Sequence, residues 1–277
     1  MPAGSSLSMQ EAAAVLEVHY MTVYRYVRLG MLPARKIGGT WHIAPADLKG
    51  LRAIVASPAR KRSAPWRERL EARLLAGDEP GSWKVAEAAL LSGMEPGDFH
   101  CDLLIPALRS IGNRWQSGEL GVEEEHLASG VAVRLIGRLG PRFARRGQTR
   151  GTVVAAMPSG EQHFLGLAIL SDILRFGGYR VLNLGSDTPA PAVVSTVGKV
   201  DDLAAVAVAV VDTHHLNGAS SLIRTIRHSA PGIPVVAGGA AVTDEETSRG
   251  LGADGWTSDA RQVGALILRL KLESRKL

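Results

Sequence analysis

The apolar positions along this chain change period twice. Residues 9–16 and 20–29 are two short amphipathic stretches, and residues 32–43 place two short runs around Gly38-Gly39, the pattern of a hairpin. Residues 66–145 have helical spacing: Trp66, Leu70 and Leu74, then Val85, Ala89 and Leu90, then Leu103, Leu104 and Leu108, then Leu127, Val131, Val133 and Leu135. Gly-rich joints divide that stretch into four helices, which predicts a small bundle. After Gly147, apolar runs at 152–157, 180–184, 204–211, 234–237 and 255–257 alternate with helical segments at 163–176, 191–199, 219–228, 244–251 and 260–270. Strand and helix in strict alternation predict a parallel sheet wrapped by helices, flavodoxin-like or Rossmann-like, with ligands beyond the carboxyl ends of its strands. The expected organisation is a small head at 1–56, a linker at 57–65 rich in Pro and basic residues, the bundle at 66–147 and the sheet domain at 148–277.

Local signals sharpen the head. Ser8 with Glu11 three residues later is a capping box opening the first helix, residues 17–19 are a turn, and Gly30 closes the second helix. That is helix-turn-helix geometry, with Thr22, Arg25, Tyr26 and Arg28 displayed for base edges and phosphates, and Arg35 and Lys36 on a hairpin wing. Residues 1–62 carry nine Lys and Arg against three Asp and Glu, a charge of +6 in a chain of +5, so the rest is −1. A basic head on a near-neutral body suits a polyanion, and a solvated basic face has the same signature. Hydrophobic residues at 45% allow a core, while the longest apolar run, nine residues at 203–211, is far short of the roughly 20 of a membrane span. With no basic-apolar-small opening the expectation is a soluble, cytoplasmic protein with no membrane partner. The single Cys101 excludes an internal disulfide and a multi-cysteine metal site.

In the sheet domain, Glu161-Gln-His163-Phe-Leu-Gly166 follows the first strand. A histidine there offers one ring nitrogen to a metal while Glu161 orients the other, and Gly166 lets a ligand approach closely. An ordinary histidine at a helix start has the same spacing. In the bundle, Trp115 is followed ten residues later by Glu125-His126. An indole is a flat apolar lid, and Glu with His can bond hydroxyls; a core tryptophan before an acidic helix start reads the same.

Three resemblances narrow these readings. Ala12-Ala13, Thr22-Val-Tyr-Arg25, Gly30-x-Leu-Pro33 and the Gly-Gly-x-Trp-x-Ile wing resemble the excisionase-type branch of the MerR superfamily of winged helix-turn-helix domains, over about 45 residues. Residues 150–277 resemble the cobalamin-binding domain of methionine synthase, corrinoid proteins and mutases: Glu161, His163 and Gly166, then Leu184-Gly-Ser-Asp-Thr-Pro189, then Gly238-Gly239 and Gly252-Ala-Asp254, fall in the family's order. This implies that His163 is the lower cobalt ligand, with Gly185, Asp187, Gly238 and Gly239 in the cofactor site. The family's Ser-x-Leu or Ser-x-Thr after the third strand is absent; the chain has Asp212-Thr213-His214-His215 there, with Thr213 as the substitute.

The spacing Trp115-x9-Glu125-His126 resembles the CarH/LitR type of cobalamin-dependent photoreceptor transcription regulators. That resemblance implies adenosylcobalamin with Trp115, Glu125 and His126 at the adenosyl group, double-stranded operator DNA as partner, and a homotetramer in the dark that becomes smaller after light. It implies no enzyme activity and no catalytic residues. Where such proteins can have a histidine directly after the tryptophan, this chain has Gln116, leaving His100, His126 or water for the lit cobalt. A cobalamin-sensing regulator indifferent to light and a corrinoid methyl carrier stand as alternatives.

Overall fold

The computed structural model describes residues 6–16, 20–28, 32–48, 65–144 and 147–274. The turn at 17–19, Gly30 and the linker apart from Pro65 lie outside these residues, as do the side chains of Thr22, Arg25 and Arg28. The chain forms two compact units, a head and a body.

In the head, α1 (Met9–Leu16) and α2 (Tyr20–Arg28) precede the hairpin of β1 (Ala34–Ile37) and β2 (Thr40–Ile43). The capping box forms: the Ser8 N–H donates to Glu11 Oε2 at 2.8 Å, and the Glu11 N–H to Ser8 Oγ at 3.3 Å. Ser8 thereby holds the Glu11 carboxyl below its ordinary range. Gly38 and Gly39 both have positive φ, +56° and +86°, as a two-residue hairpin turn of right-handed twist demands. Met9, Ala12, Leu16, Val23, Leu32 and Ile43 form the core of the head, and Tyr26 joins them at 4% exposure. The expectation that Tyr26 is displayed to DNA is therefore corrected. It lies three residues after the buried Val23, on the same helical stripe, so its ring is committed to the core. Arg35 pairs with His42 and Lys36 with Trp41, so the pleat sends the two cations to opposite faces of the wing; Lys36 Nζ stands 5.9 Å from the Trp41 ring.

The body begins with four helices, α3 (Trp66–Leu75), α4 (Glu79–Leu91), α5 (Ile105–Gln116) and α6 (Val122–Leu139). A turn at Pro96–Asp98 and a π-helical stretch, Phe99–Leu104, lead into α5. The apolar stripe of α6 is Ala128, Val131, Ala132, Leu135, Ile136 and Leu139; Leu127 and Val133, expected inside, are exposed because they fall off that stripe.

The sheet domain follows as β3 (Thr152–Ala156), α7 (Leu165–Phe176), β4 (Arg180–Asn183), α8 (Ala190–Val197), β5 (Leu203–Ala209), α9 (Leu216–Ser229), β6 (Val235–Gly238), α10 (Glu245–Gly250) and α11 (Val263–Ser274). Four parallel strands stand in the order β4-β3-β5-β6. The expected fifth strand is reduced to one bridge, Val236 with Gly255. Every residue of β3 is buried, since helices cover both faces: Val154 and Ala156 pack towards α8 and α9, Val153 and Ala155 towards α7 and α11. The chain runs from β3 to β4 on one side and then returns past β3 to β5 on the other, so the strand order reverses at β3 and ligands of such sheets bind beyond its carboxyl end.

The π-helical stretch joins the bundle to the sheet domain by charge as well as by packing. His100 is fully buried, its Nε2 lies 3.2 Å from Asp172 Oδ2 on α7, and its ring stacks on Phe143 at 4.7 Å. Arg261 bonds Asp98 at 2.8 Å and Asp102 at 3.0 Å, and Asp259 holds the same guanidinium from its own side. Burial among these groups pushes the Cys101 thiol up to about 11, which leaves it protonated at neutral pH. His100→Ala should leave Asp172 with Arg175 alone and open a void beside Phe143. The expected cost is about 2–4 kcal/mol, visible as a fall in Tm on the order of 10 °C; an unchanged melt would show that this junction does not hold the body together.

Candidate functional site

Three loops meet at the carboxyl edge of the sheet. The first, after β3, turns through Gly160 and carries Glu161 and His163 into the start of α7. The Glu161 side chain is wholly buried. Its Oε2 accepts from the N–H groups of Val211 and Asp212, just past β5, at 2.8 and 2.9 Å. Its Oε1 accepts from the His163 N–H at 3.2 Å and lies 2.5 Å from His163 Nδ1. Burial by itself pushes the Glu161 carboxyl up; the Asp212 N–H, the His163 ring and the Val211 N–H outweigh it and hold the group below its ordinary range.

The His163 side chain is half exposed, and its Nε2 has no hydrogen-bond partner among the described residues. With Nδ1 as donor to Glu161, Nε2 is left as the free lone pair, aimed outward. Among the described residues no group of three His, Cys, Asp or Glu side chains is placed to hold a bare metal ion. A single, oriented imidazole nitrogen suits a metal whose other positions are already filled, as in a macrocycle.

The second loop follows β4. Met157 donates to the Gly185 carbonyl at 3.1 Å and Thr188 to the Met157 carbonyl at 3.1 Å, extending the β3–β4 pairing past the strand ends. Asp187 donates its N–H to the Glu161 carbonyl at 2.9 Å and accepts the Gly160 N–H on Oδ1 at 2.7 Å. The third loop, after β5, is turned by Asp212, whose Oδ1 caps the His214 N–H at 2.9 Å. Thr213 and His214 are exposed, and His215 packs its ring beside Gly160.

The glycines divide into two kinds. At Gly166, Gly185 and Gly238 a Cβ would point into open space, so these three line room rather than contacts. Gly239 has φ +108° and backs directly onto the Val210 carbonyl, so no side chain fits there; it closes the turn rather than lining the room. Asp254, in the Gly-Ala-Asp element, bonds the Val235 N–H at 2.7 Å and so braces the amino end of β6, away from this edge.

In the bundle, Trp115 stands near the end of α5 with its indole 40% exposed, and Phe164, next to His163, is exposed as well. Glu125 accepts from Ser129 Oγ at 2.5 Å, and exposed His126 lies 3.8 Å from Glu125 Oε2. His100, expected with His126 as a substitute for a histidine at Gln116, is fully buried with its Nε2 on Asp172 and its Nδ1 without a hydrogen-bond partner among the described residues.

Family models for a B12 binding domain match residues 151–263 and 66–139, and one for a helix-turn-helix domain matches residues 6–51. The HTH-type transcriptional repressor CarH of Myxococcus xanthus is 32% identical over 212 residues, 74% of this chain and 69% of its own length. The chain belongs to the CarH type of cobalamin-binding transcription regulators. A corrinoid protein of Desulfitobacterium hafniense is 23% identical over 70% of this chain and 91% of its own. The Methanosarcina barkeri monomethylamine corrinoid protein, at 17% identity, shares the fold with a TM-score of 0.66 over 74% of this chain and 98% of that one. Against this family the helix-turn-helix head is a DNA-binding domain and the bundle and sheet are the cobalamin-binding body. No helix among the described residues is long and apolar enough to cross a membrane.

The Val211 and Asp212 amides, which fix Glu161, had no sequence signal, because a backbone N–H has no residue identity. Since the Glu161 carboxyl titrates below its ordinary range in the fold, its charge stabilises the fold above the ordinary carboxylate range, and the contribution is lost as pH falls through the lowered value. Glu161→Gln should therefore cost about 1–3 kcal/mol at pH 7. Denaturant titrations across pH 3–7 should show this difference from wild type shrinking at the acid end; a gap constant with pH would contradict the charged-carboxylate role.

Proposed function

We propose that the chain is a light-responsive transcription regulator that holds adenosylcobalamin at the carboxyl edge of its sheet and operator DNA on its head. The observation that carries the reading is the His163–Glu161 pair, one imidazole nitrogen locked onto a buried carboxylate and the other free. His163 would hold the cobalt through its free Nε2. Glu161 keeps its tautomer, while Gly166, Gly185 and Gly238 leave room for the cofactor. Trp115 and Glu125 receive the adenosyl group from the bundle side, with His126 beside them. When bound, the cofactor supplies a cobalt–carbon bond that visible light breaks.

The protein's part is to carry that change to the DNA. The ionic junction between the π-helical stretch and Arg261 is polar enough to rearrange when the occupant under Trp115 changes. Several weakly binding heads held in one oligomer, a tetramer in the dark, gain affinity through effective concentration, and a smaller lit oligomer loses it. On the head, Thr22, Arg25 and Arg28 would supply the major-groove contacts, with Arg35 and Lys36 at the flanking backbone. Gln116, where a histidine would give the lit cobalt a second imidazole, favours one further reading, a regulator that senses cobalamin level alone.

Full-length protein loaded with adenosylcobalamin in the dark should show a changed absorption spectrum and a smaller size on gel filtration after green light. A bound cofactor with no change in size would favour the cobalamin-level sensor, and no binding would end both readings. Arg25→Ala should weaken DNA binding by roughly tenfold or more with the cofactor spectrum intact. His163→Ala should weaken cobalamin binding on the order of 10–100-fold, whereas Trp115→Ala should mainly erode the preference for the adenosyl form over hydroxocobalamin.

A further inference from the structure

Asp187 is, among the described residues, the one non-glycine residue in the left-handed region, at φ +47°. Glycine occupies that region freely; a side chain is strained in it, Asp and Asn less than most. The strain puts the Asp187 carboxylate over the neighbouring loop, where Oδ1 takes the Gly160 N–H at 2.7 Å. Its own N–H reaches the Glu161 carbonyl at 2.9 Å. One residue thus grips both ends of the Gly160-Glu161 dipeptide from the β4 side. Val211 and Asp212 hold the Glu161 carboxylate from the β5 side, at 2.8 and 2.9 Å.

We infer that Asp187 is a positioning residue for His163. Its carboxylate fixes the loop so that the buried Glu161 side chain meets the imidazole in the orientation that leaves Nε2 free. This rests on the cobalamin reading of the site, and it gives Asp187 a role through the protein's own loop rather than a contact with the cofactor. Gly160 is suited to this grip: its φ is +88°, and a Cβ there would strike the His215 ring, while the Glu161 N–H closes the turn onto the Pro158 carbonyl at 3.1 Å.

The geometry separates two effects that usually move together. Asp187→Gly removes the backbone strain and the acceptor at once, whereas Asp187→Asn keeps an acceptor oxygen and a residue tolerant of the left-handed region. In full-length, cofactor-free protein, Asp187→Gly should melt at the wild-type temperature or above it. Hydrogen exchange at the Gly160 amide should be faster than wild type in this variant and unchanged in Asp187→Asn.

Titrated with hydroxocobalamin, Asp187→Gly should bind on the order of 10–100-fold more weakly. After reduction to cobalt(II), the electron-spin spectrum of ¹⁵N-histidine-labelled protein should show the axial-nitrogen splitting diminished in this variant. Asp187→Asn should behave as wild type in both. Wild-type ligation in Asp187→Gly would overturn the inference. A melting temperature that falls in step with binding would make Asp187 merely structural. An equal loss in Asp187→Asn would assign the effect to the carboxylate charge. If the wild type itself binds no cobalamin, the functional reading fails, and the exchange rate at Gly160 still decides whether Asp187 holds the loop.

Discussion

The buried carboxylate of Glu161 is the point through which the rest of the site is set. A charged group with no exposure survives in a folded core only if its oxygens are filled, and here two amides of the β5 end, the His163 amide and the His163 ring fill them. The same bonds that stabilise the charge fix the ring. Without the sheet, β3 and β5 would not sit side by side, and the carboxylate would have no amides to meet. Without the carboxylate, the imidazole would be free to turn, and either nitrogen could face outward. The fold and the chemistry of the site are one arrangement, with β3 as the switch strand and Glu161 as its reporter at the carboxyl edge.

The body is held differently at its two ends. Inside the sheet domain, apolar side chains on both faces of β3 and β5 exclude water and define a rigid platform. Between platform and bundle the contacts are mixed: Phe143 against His100 and Phe176, but also Arg261 among three carboxylates and His100 on Asp172. Ionic and hydrogen-bonded contacts exchange partners at lower cost than interlocked apolar ones. On the proposed function such an attachment would let the bundle respond to a ligand, and the π-helical stretch there supplies a segment whose backbone bonds are already displaced from the α pattern.

Much of this was legible in the sequence because it is local. The capping box, the Gly38-Gly39 turn, the helix–strand alternation and the Glu161–His163 spacing are all written within a few residues, and each forms as expected. What was not legible depends on distance or on facing. Glu161 meets its two amides fifty residues away, and His100 meets Asp172 across 72. Tyr26 reads as a DNA contact by residue type, yet its position three residues beyond Val23 puts it in the core. Leu127 and Val133 match a helical spacing, but the stripe that packs begins one residue later at Ala128. The fifth strand is reduced to a single bridge, Val236 with Gly255, so an apolar run of three residues does not guarantee a ladder.

The central claim is that occupancy of the His163 site governs the basic head. It is tested most directly by binding to duplex DNA selected from a random pool by the loaded protein in the dark. Binding is then measured in four samples: with and without adenosylcobalamin, each in the dark and after green light. The account predicts tight binding only in the loaded dark sample, with loss after light. Equal binding in all four would contradict it.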